Sequence, residues 1–322
     1  MPFDRDTRKV RVKAITYEAD GVVSLDLRPL DGAPLPPFTA GAHIELRLPN
    51  GIERSYSIAN PEGETHRYVV GVQKDAGSRG GSCFIHDALR PGAELVILAP
   101  RNNFPLKEDA GHTLLIAGGI GITPIWCMTQ RLAALGRSFA LVYAARARRR
   151  AAFLAEIVAL LGEDSPNLRL HFDEEHGGAP LDLPAVIRRA RPGAHLYCCG
   201  PLPMLAAFER ETAALPPERV HLEYFAPKAP VAASGGFEVV LARSGRCFTI
   251  APGATILETL QDAGIAVNCS CLEGVCGTCE TAVLEGEPEH RDSVLTPQER
   301  ASNRTMMICC SGAKTPKLVL DL

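Results

Sequence analysis

With 322 residues, 46% hydrophobic and 22% charged content, 29 Gly and 25 Pro, the chain has the composition of two or three packed domains and excludes a disordered or fibrous array. A formal net charge of −3 argues against a nucleic-acid binder, which must neutralise phosphates. The first residues are charged and no run of about 18 apolar residues occurs, so neither a signal peptide nor a membrane span is expected, and the expected location is the cytoplasm.

From Lys9 to about Pro100 the runs KVRVKAI, GVVSLDLR, HIELRLP, ERSYSIAN, HRYVVGVQK and AELVILAP are separated by Gly, Pro, Asn and Asp. Their alternation predicts about six strands of a small antiparallel barrel, interrupted by one helix-like run, SCFIHDALRPG. Between about Gly111 and Phe225 the unalternating runs TLLIAG, FALVYAA, LRLHFD, HLYCCG and VHLEYF alternate with amphipathic segments. Strands apolar on both faces between helices predict a parallel, doubly wound α/β sheet, whose ligands bind at the carboxyl ends of its strands. In the first of these helices Ile125, Met128, Leu132 and Leu135 are expected on one face, with Gly136 as the cap. APKAPVAASGG, residues 226–236, reads as a linker. Residues 237–322 suffice for one small α+β domain and hold 11 acidic against 7 basic residues, whereas residues 1–225 balance at 26 each. That acidity either steers a complementary partner or is a solvated face.

Several motifs sit where this organisation allows chemistry. AGGIGITP (117–124) follows a strand and opens a helix. Gly118, Gly119 and Gly121 there let backbone approach a ligand, and the helix start offers N–H groups to a pyrophosphate. The plain alternative is a glycine turn without a nucleotide. YCCGP (197–201) repeats the arrangement with Cys199, Gly200 and Pro201, so the two turns are expected on either side of a dinucleotide cleft, with Cys198 in the core. RSYS (54–57) puts Arg54 and Tyr56 on one strand face as a phosphate clamp and a stacking ring, or merely as surface. SRGGS (78–82) adds a second phosphate-binding helix start.

The cysteines carry the sharpest signal. A cytosolic chain keeps its thiols reduced, so a dense group among eleven cysteines reads as a metal or redox site. Cys271, Cys276 and Cys279 are spaced C-x4-C-x2-C, and Cys309 follows after 29 residues, the plant-type arrangement for a 2Fe-2S cluster. The four-residue gap disfavours zinc, and no Cys-x-His pair exists for a Rieske centre. Gly274 and Gly277 are expected to wrap the loop so that backbone N–H groups face the sulfurs.

With these residues in hand, the chain resembles the phthalate dioxygenase reductase family, the group that includes vanillate O-demethylase reductases. The resemblance runs in order through RSYS, SRGGS, GGIGITP, CCGP, EYF (223–225), CLEGVCGTC and MMICC and covers essentially the whole chain. It implies a multidomain fold: an antiparallel β-barrel flavin domain over 1–103 holding FMN, a doubly wound α/β nicotinamide domain over 104–225 binding NADH, the linker, and an α+β ferredoxin domain over 237–322. Residue by residue, Arg54, Ser55, Tyr56 and Ser57 would hold the flavin ring and phosphate. Val72 and Gln73 would meet it through the backbone, and Gly80, Gly81 and Ser82 would bind its phosphate. Thr123 and Phe225 would line the site from the other domain. The family pattern selects Cys309 over Cys310 as fourth ligand and leaves Cys269 a bystander.

Arg146, Arg148, Arg149 and Arg150 follow FALVYAA and either hold a 2′-phosphate or form a solvated basic turn. Asp173 would accept from a free 2′-hydroxyl. With the family precedent, NADH is expected. Ser57, Thr123 and Cys199 are expected to shape the contact between nicotinamide and flavin, with Phe225 guarding the ring and no general acid or base. A hydride carries two electrons and a cluster takes one, so the flavin would convert the count. A plant-type cluster near roughly −400 mV passes electrons downhill to a Rieske centre at about −150 mV or above. The expected function is therefore the NADH-dependent reductase of a separate Rieske-type oxygenase, an aromatic-ring dioxygenase or O-demethylase. It would work as a monomer with no nucleic-acid or membrane partner. The alternatives are a reductase for a cytochrome or haem monooxygenase and, outside enzymes, a redox sensor.

Overall fold

A computed structural model describes residues 7–75, 77, 79–228, 230–232 and 235–322. Ser78, from the SRGGS motif, and Ala229, Ala233 and Ser234, from the expected linker, lie outside the described residues. Two compact units part between Glu223 and Tyr224. The first begins with strands β1 (Thr7–Ala19), β2 (Val22–Pro29), β3 (His43–Arg47), β4 (Glu53–Ser57) and β5 (Tyr68–Gln73), then helix α1 (Gly81–Asp87) and β6 (Glu94–Leu98). Their antiparallel order is β4-β3-β6-β1-β2-β5. The bridge Ile58↔Val70 and the bond from Ala59 N–H to Val69 O (2.8 Å) tie its two ends together. Asp20-Gly21 and Asn50-Gly51 make the tight connections that such hairpins need, with φ of +76° and +81° at the two glycines.

The same unit continues with β7 (Thr113–Gly118), α2 (Ile122–Ala134), β8 (Phe139–Ala145), α3 (Leu154–Leu161), β9 (Leu168–Phe172), α4 (Leu183–Arg188), β10 (His195–Cys199), α5 (Leu202–Thr212) and β11 (Val220–Glu223). The five strands are parallel in the order β11-β10-β7-β8-β9. Chain direction across the sheet reverses between β7 and β10, the switch point at which such sheets take ligands. Barrel and parallel sheet share one continuous apolar core from Val10 to Cys199. Within α2, Ile125, Met128 and Leu132 are buried as expected, but Leu135 is 38% exposed. The helix has already ended at Ala134, and Gly136, at φ +63°, turns the chain away.

The second unit holds β12 (Phe237–Leu241), β13 (Cys247–Ile250), α6 (Ile256–Asp262), β14 (Glu280–Glu285), β15 (Pro288–Glu289), α7 (Pro297–Ser302), β16 (Thr305–Met307), β17 (Gly312–Ala313) and β18 (Lys317–Leu320). A mixed sheet, β13-β12-β18-β14-β16, packs against α6 around Val239, Leu257, Leu260 and Met306. Thr255 with Glu258 and Thr296 with Glu299 form reciprocal caps that start α6 and α7. The chain thus has the expected multidomain class: an antiparallel barrel, a doubly wound α/β sheet and an α+β domain. Among the described residues no helix is long and apolar enough to cross a membrane.

Candidate active site and metal centre

The switch point is built by two glycine turns pressed together. A Cβ on Gly121 would lie 2.2 Å from the Cys199 carbonyl oxygen, and one on Gly118 would lie 2.7 Å from Pro201 Cδ and 2.8 Å from Met204 Sδ. A Cβ on Gly200 would sit 3.1 Å from Gly118 Cα. Gly119 alone among the motif's glycines has φ of +53° and open space around it. The sequence offered all three motif glycines as places of ligand approach. In the fold, Gly118 and Gly121 are required by the opposing turn, and Gly119 is the one that faces space.

Side chains from four elements meet beside these turns. Thr123, at the start of α2, is buried and its hydroxyl donates to Ile120 O at 3.0 Å. Its methyl would stand 2.7 Å from a Cβ on Gly71 in β5. Ser57 ends β4 and its side chain hydrogen-bonds Glu223, the last residue of β11. Glu223 is partly buried, and desolvation of its carboxyl pushes it up to about 8 against the restraining Ser57 bond. Its Oε2 has no hydrogen-bond partner among the described residues. Cys199 is fully buried, and desolvation, followed by the Glu223 charge, holds its thiol well above the ordinary range. Burial does the same to Cys198 in the core.

On the barrel, Arg54 lies over the first turn of α1: a Cβ on Gly81 would be 2.8 Å from Arg54 Cγ and 3.0 Å from Nε. Its Nη1 donates to Glu53 O at 2.7 Å. Tyr56 shares that strand face, and burial pushes its phenol up to about 12. Ser55 alternates to the other face, where its buried hydroxyl has no partner among the described residues. Gly80 is left-handed at φ +90°. Ser82 is buried and its Oγ accepts from Asp75 N–H at 3.1 Å. Val72 O is paired with His86 Nε2 at 2.9 Å, and Gln73 is exposed. A cation laid across a glycine start, beside an aromatic ring, fits a phosphorylated flavin. Phe225 belongs to the second unit and is 40% exposed. Asp173 follows β9, with its Oδ1 3.4 Å from His171 Nε2.

In the second unit, Cys271, Cys276, Cys279 and Cys309 are all buried. The Cys271 thiolate is favoured by hydrogen bonds from Cys276 and Cys309, and by the N–H groups of Glu273 and Val275, each 3.4 Å from its sulfur. Cys309 is hydrogen-bonded to Cys271 and Cys279, which raises its own pKa. Cys276 Sγ donates to Thr278 Oγ1 at 3.1 Å. Cys310 Sγ is directed to Met307 O (3.7 Å) and also hydrogen-bonds Cys309. Gly274 and Gly277 are left-handed (φ +70° and +76°), and a Cβ on Gly274 would strike Cys310 Sγ. Cys269 is partly exposed and accepts from Gln261 Nε2 at 3.2 Å. Among the described residues no three Cys, His, Asp or Glu side chains surround a single point as one ion's ligands would. A 2Fe-2S cluster divides four thiolates between two irons, so this all-sulfur set with N–H donors fits the cluster.

Comparison with known proteins bears on the whole chain. Residues 115–210 match the oxidoreductase NAD-binding domain, and residues 239–314 match the 2Fe-2S iron-sulfur cluster binding domain. The chain is 39% identical to phthalate dioxygenase reductase of Burkholderia cepacia, over 97% of both proteins. A solved phthalate dioxygenase reductase structure superposes with a TM-score of 0.73 at 38% identity, over 98% of each chain.

The chain belongs to the phthalate dioxygenase reductase family.

Another member, phenoxybenzoate dioxygenase subunit beta of Ectopseudomonas oleovorans, is 55% identical over 97% of each chain. The reductase fold also occurs within an intact type IV self-sufficient cytochrome P450 monooxygenase. There the TM-score is 0.89 at 38% identity, over 98% of this chain and 41% of that one, so this chain spans less than half of that protein. As a family member the chain is a flavin and iron-sulfur oxidoreductase with a nicotinamide-binding domain. Glu223 is the site residue that sequence reasoning missed. The EYF motif contains it, but a carboxylate ending a strand gives no sign of burial until β4 is seen against β11.

Proposed function

We propose that this chain is the NADH-dependent reductase component of an oxygenase system, using FMN and a 2Fe-2S cluster to serve a separate Rieske-type oxygenase, an aromatic-ring dioxygenase or O-demethylase. It would act as a monomer in the cytoplasm. The observation that carries this reading is full-length similarity, 97% of each chain, to a phthalate dioxygenase reductase, together with the four buried thiols and the paired glycine turns. When bound, the flavin takes the two electrons of a hydride together and the cluster passes them on singly.

The residues have separate tasks in this proposal. Arg54, with Gly80, Gly81 and Ser82, neutralises and orients the flavin phosphate. Ser55, Tyr56 and Ser57, with Val72 and Gln73, border its ring, and Thr123 and Phe225 complete the border. The turns Gly118–Gly121 and Cys199–Pro201 seat the dinucleotide, with Asp173 on its adenosine ribose. Ser57, Thr123 and Cys199 fix the approach of the nicotinamide, a positioning task that needs no general base. Cys271, Cys276, Cys279 and Cys309 ligate the cluster. Residues 1–103, 104–225 and 237–322 are the three functional segments, joined by 226–236.

A second reading, electron supply to a haem monooxygenase, is favoured by the occurrence of this fold within the P450 chain. Anaerobic NADH should bleach first the flavin and then the cluster, and NADH-driven turnover should be reconstituted with a purified Rieske oxygenase. A flavin left oxidised under excess NADH refutes the proposal. Turnover with a P450 and with no Rieske oxygenase of a panel decides for the second reading.

A further inference from the structure

The arginine run after β8 looks, in sequence, like a place for a 2′-phosphate. In the fold the charges of Arg148 and Arg149 are already answered. Arg149 grips Glu174 through two bonds, Nη1 to Oε2 at 2.5 Å and Nη2 to Oε1 at 2.7 Å, and its Nε lies 3.4 Å from Asp20 Oδ2. Arg148 donates to Glu175 at 3.2 Å and to Glu163 at 2.8 Å, and its guanidinium lies over the Phe172 ring at 4.7 Å. The acidic partners Glu174 and Glu175 sit on one 3-10 turn, Asp173–His176, directly after β9. That turn is fastened to the basic one by Glu174 N–H to Arg146 O (3.0 Å) and closed by His176 Nδ1 to Phe172 O (2.9 Å). The guanidinium groups of Arg148 and Arg149 therefore share this edge with four carboxylates, those of Asp20, Glu163, Glu174 and Glu175.

We propose that Glu174 and Glu175 determine nucleotide specificity: they occupy the arginines at the carboxyl ends of β8 and β9, so a 2′-phosphorylated dinucleotide meets carboxylates there and NADH is selected over NADPH. This rests on the doubly wound unit being the nicotinamide site. Each pair is solvent-exposed and contributes little to stability. Their effect on specificity is separate from stability, because a 2′-phosphate must displace Glu174 from a two-bond grip and remain beside the displaced charge. Hydrogen bonding to Arg149 also holds the Glu174 carboxyl below the usual range, so it stays charged throughout neutral pH.

The test is E174Q/E175Q in the full-length protein loaded with flavin and cluster, assayed with ferricyanide as acceptor. The ratio of kcat/KM for NADPH to that for NADH should rise roughly tenfold, mainly through KM for NADPH, as expected on removing repulsion comparable to one or two exposed ion pairs. Adding R148A/R149A should cancel the gain. Binding of adenosine 2′,5′-bisphosphate, followed by calorimetry without turnover, should tighten in E174Q/E175Q and return with the arginine substitutions. A parent protein that oxidises NADH, with a ratio unchanged in E174Q/E175Q, overturns the specificity role alone. A parent protein that oxidises neither nucleotide overturns the underlying site.

Discussion

Replacing Gly121 by Ala separates two roles for the glycines of GGIGITP. The backbone there has φ −60° and ψ −6°, which any residue adopts, so the substitution brings no backbone strain. The added Cβ would be 2.2 Å from the Cys199 oxygen, 2.4 Å from its carbonyl carbon and 2.7 Å from Gly200 N, whereas ordinary contact begins at 3.4 Å. All three atoms are backbone, so the strand end itself must retreat by about 1 Å, and overpacking of this kind costs about 3 kcal/mol. In a unit of this size about 1 kcal/mol moves Tm by about 2–4 °C, so a fall of about 6–12 °C is expected. Gly119→Ala is the counterpart: nothing lies within 4 Å, and only its φ of +53° is costly, at about 1–2 kcal/mol. Calorimetry or fluorescence melting of the flavin-loaded protein reads both, and KM for NADH reads the site. Gly121→Ala should lose the more stability. If it melts within about 2 °C of the parent, a shift below about 1 kcal/mol, and Gly119→Ala melts lower, the packing argument fails.

Serine at Cys271, Cys276, Cys279 or Cys309 should abolish the cluster's visible absorption and electron transfer to cytochrome c, while Cys269→Ser and Cys310→Ser should keep both. Retention in Cys309→Ser with loss in Cys310→Ser would reassign the fourth ligand. Arg54→Ala removes a cation over the α1 start and should weaken flavin binding by about 2 kcal/mol, roughly thirtyfold, by fluorescence titration; an unchanged dissociation constant would take Arg54 out of the phosphate site. Glu223 has a raised carboxyl pKa, so the fold favours its protonated form. The stability this gives is fully present below the ordinary value of 4.5 and is lost as pH rises through about 8. The unfolding free energy of the parent, from urea titration, should therefore fall relative to Glu223→Gln between pH 5 and 9, by on the order of a few kcal/mol, and parallel curves would refute the raised carboxyl.

The barrel was legible because its strands alternate and its turns carry Asp-Gly and Asn-Gly, both local signals. The parallel sheet was legible because its strands are apolar on both faces and lie between amphipathic segments. Cys271, Cys276 and Cys279, which share one short loop, read as cluster ligands from spacing, and distant Cys309 from the family pattern as well. Helix starts read less well. AAFLAEIVALLG looks helical from its first residue, yet Phe153 is left-handed at φ 57° and α3 begins only at Leu154. A buried Phe153 ring packed beside Gly71 of the barrel overrides the local preference. The arginine run left two readings open for a related reason: the partners of Arg148 and Arg149, Glu163, Glu174 and Glu175, come from elsewhere in the sheet's connections, and Asp20 comes from the barrel.

Glu223 shows why the site exceeds its motifs. In VHLEYF it ends a strand, where a carboxylate is normally solvated. Its carboxyl is withdrawn from water where Ser57, at the end of β4, hydrogen-bonds it. Isolated in that position, an ionised carboxylate would cost far more than a protonated one. The group therefore holds its proton up to about pH 8, and its buried neighbour Cys199 holds its own still higher. Desolvation thus disfavours charge on both Glu223 and Cys199. For the dinucleotide proposed to lie against these turns, this weakens the negative charge opposing it beside the helix-start N–H groups. Burial sets the charge of this site, and burial is a tertiary property that no single motif encodes.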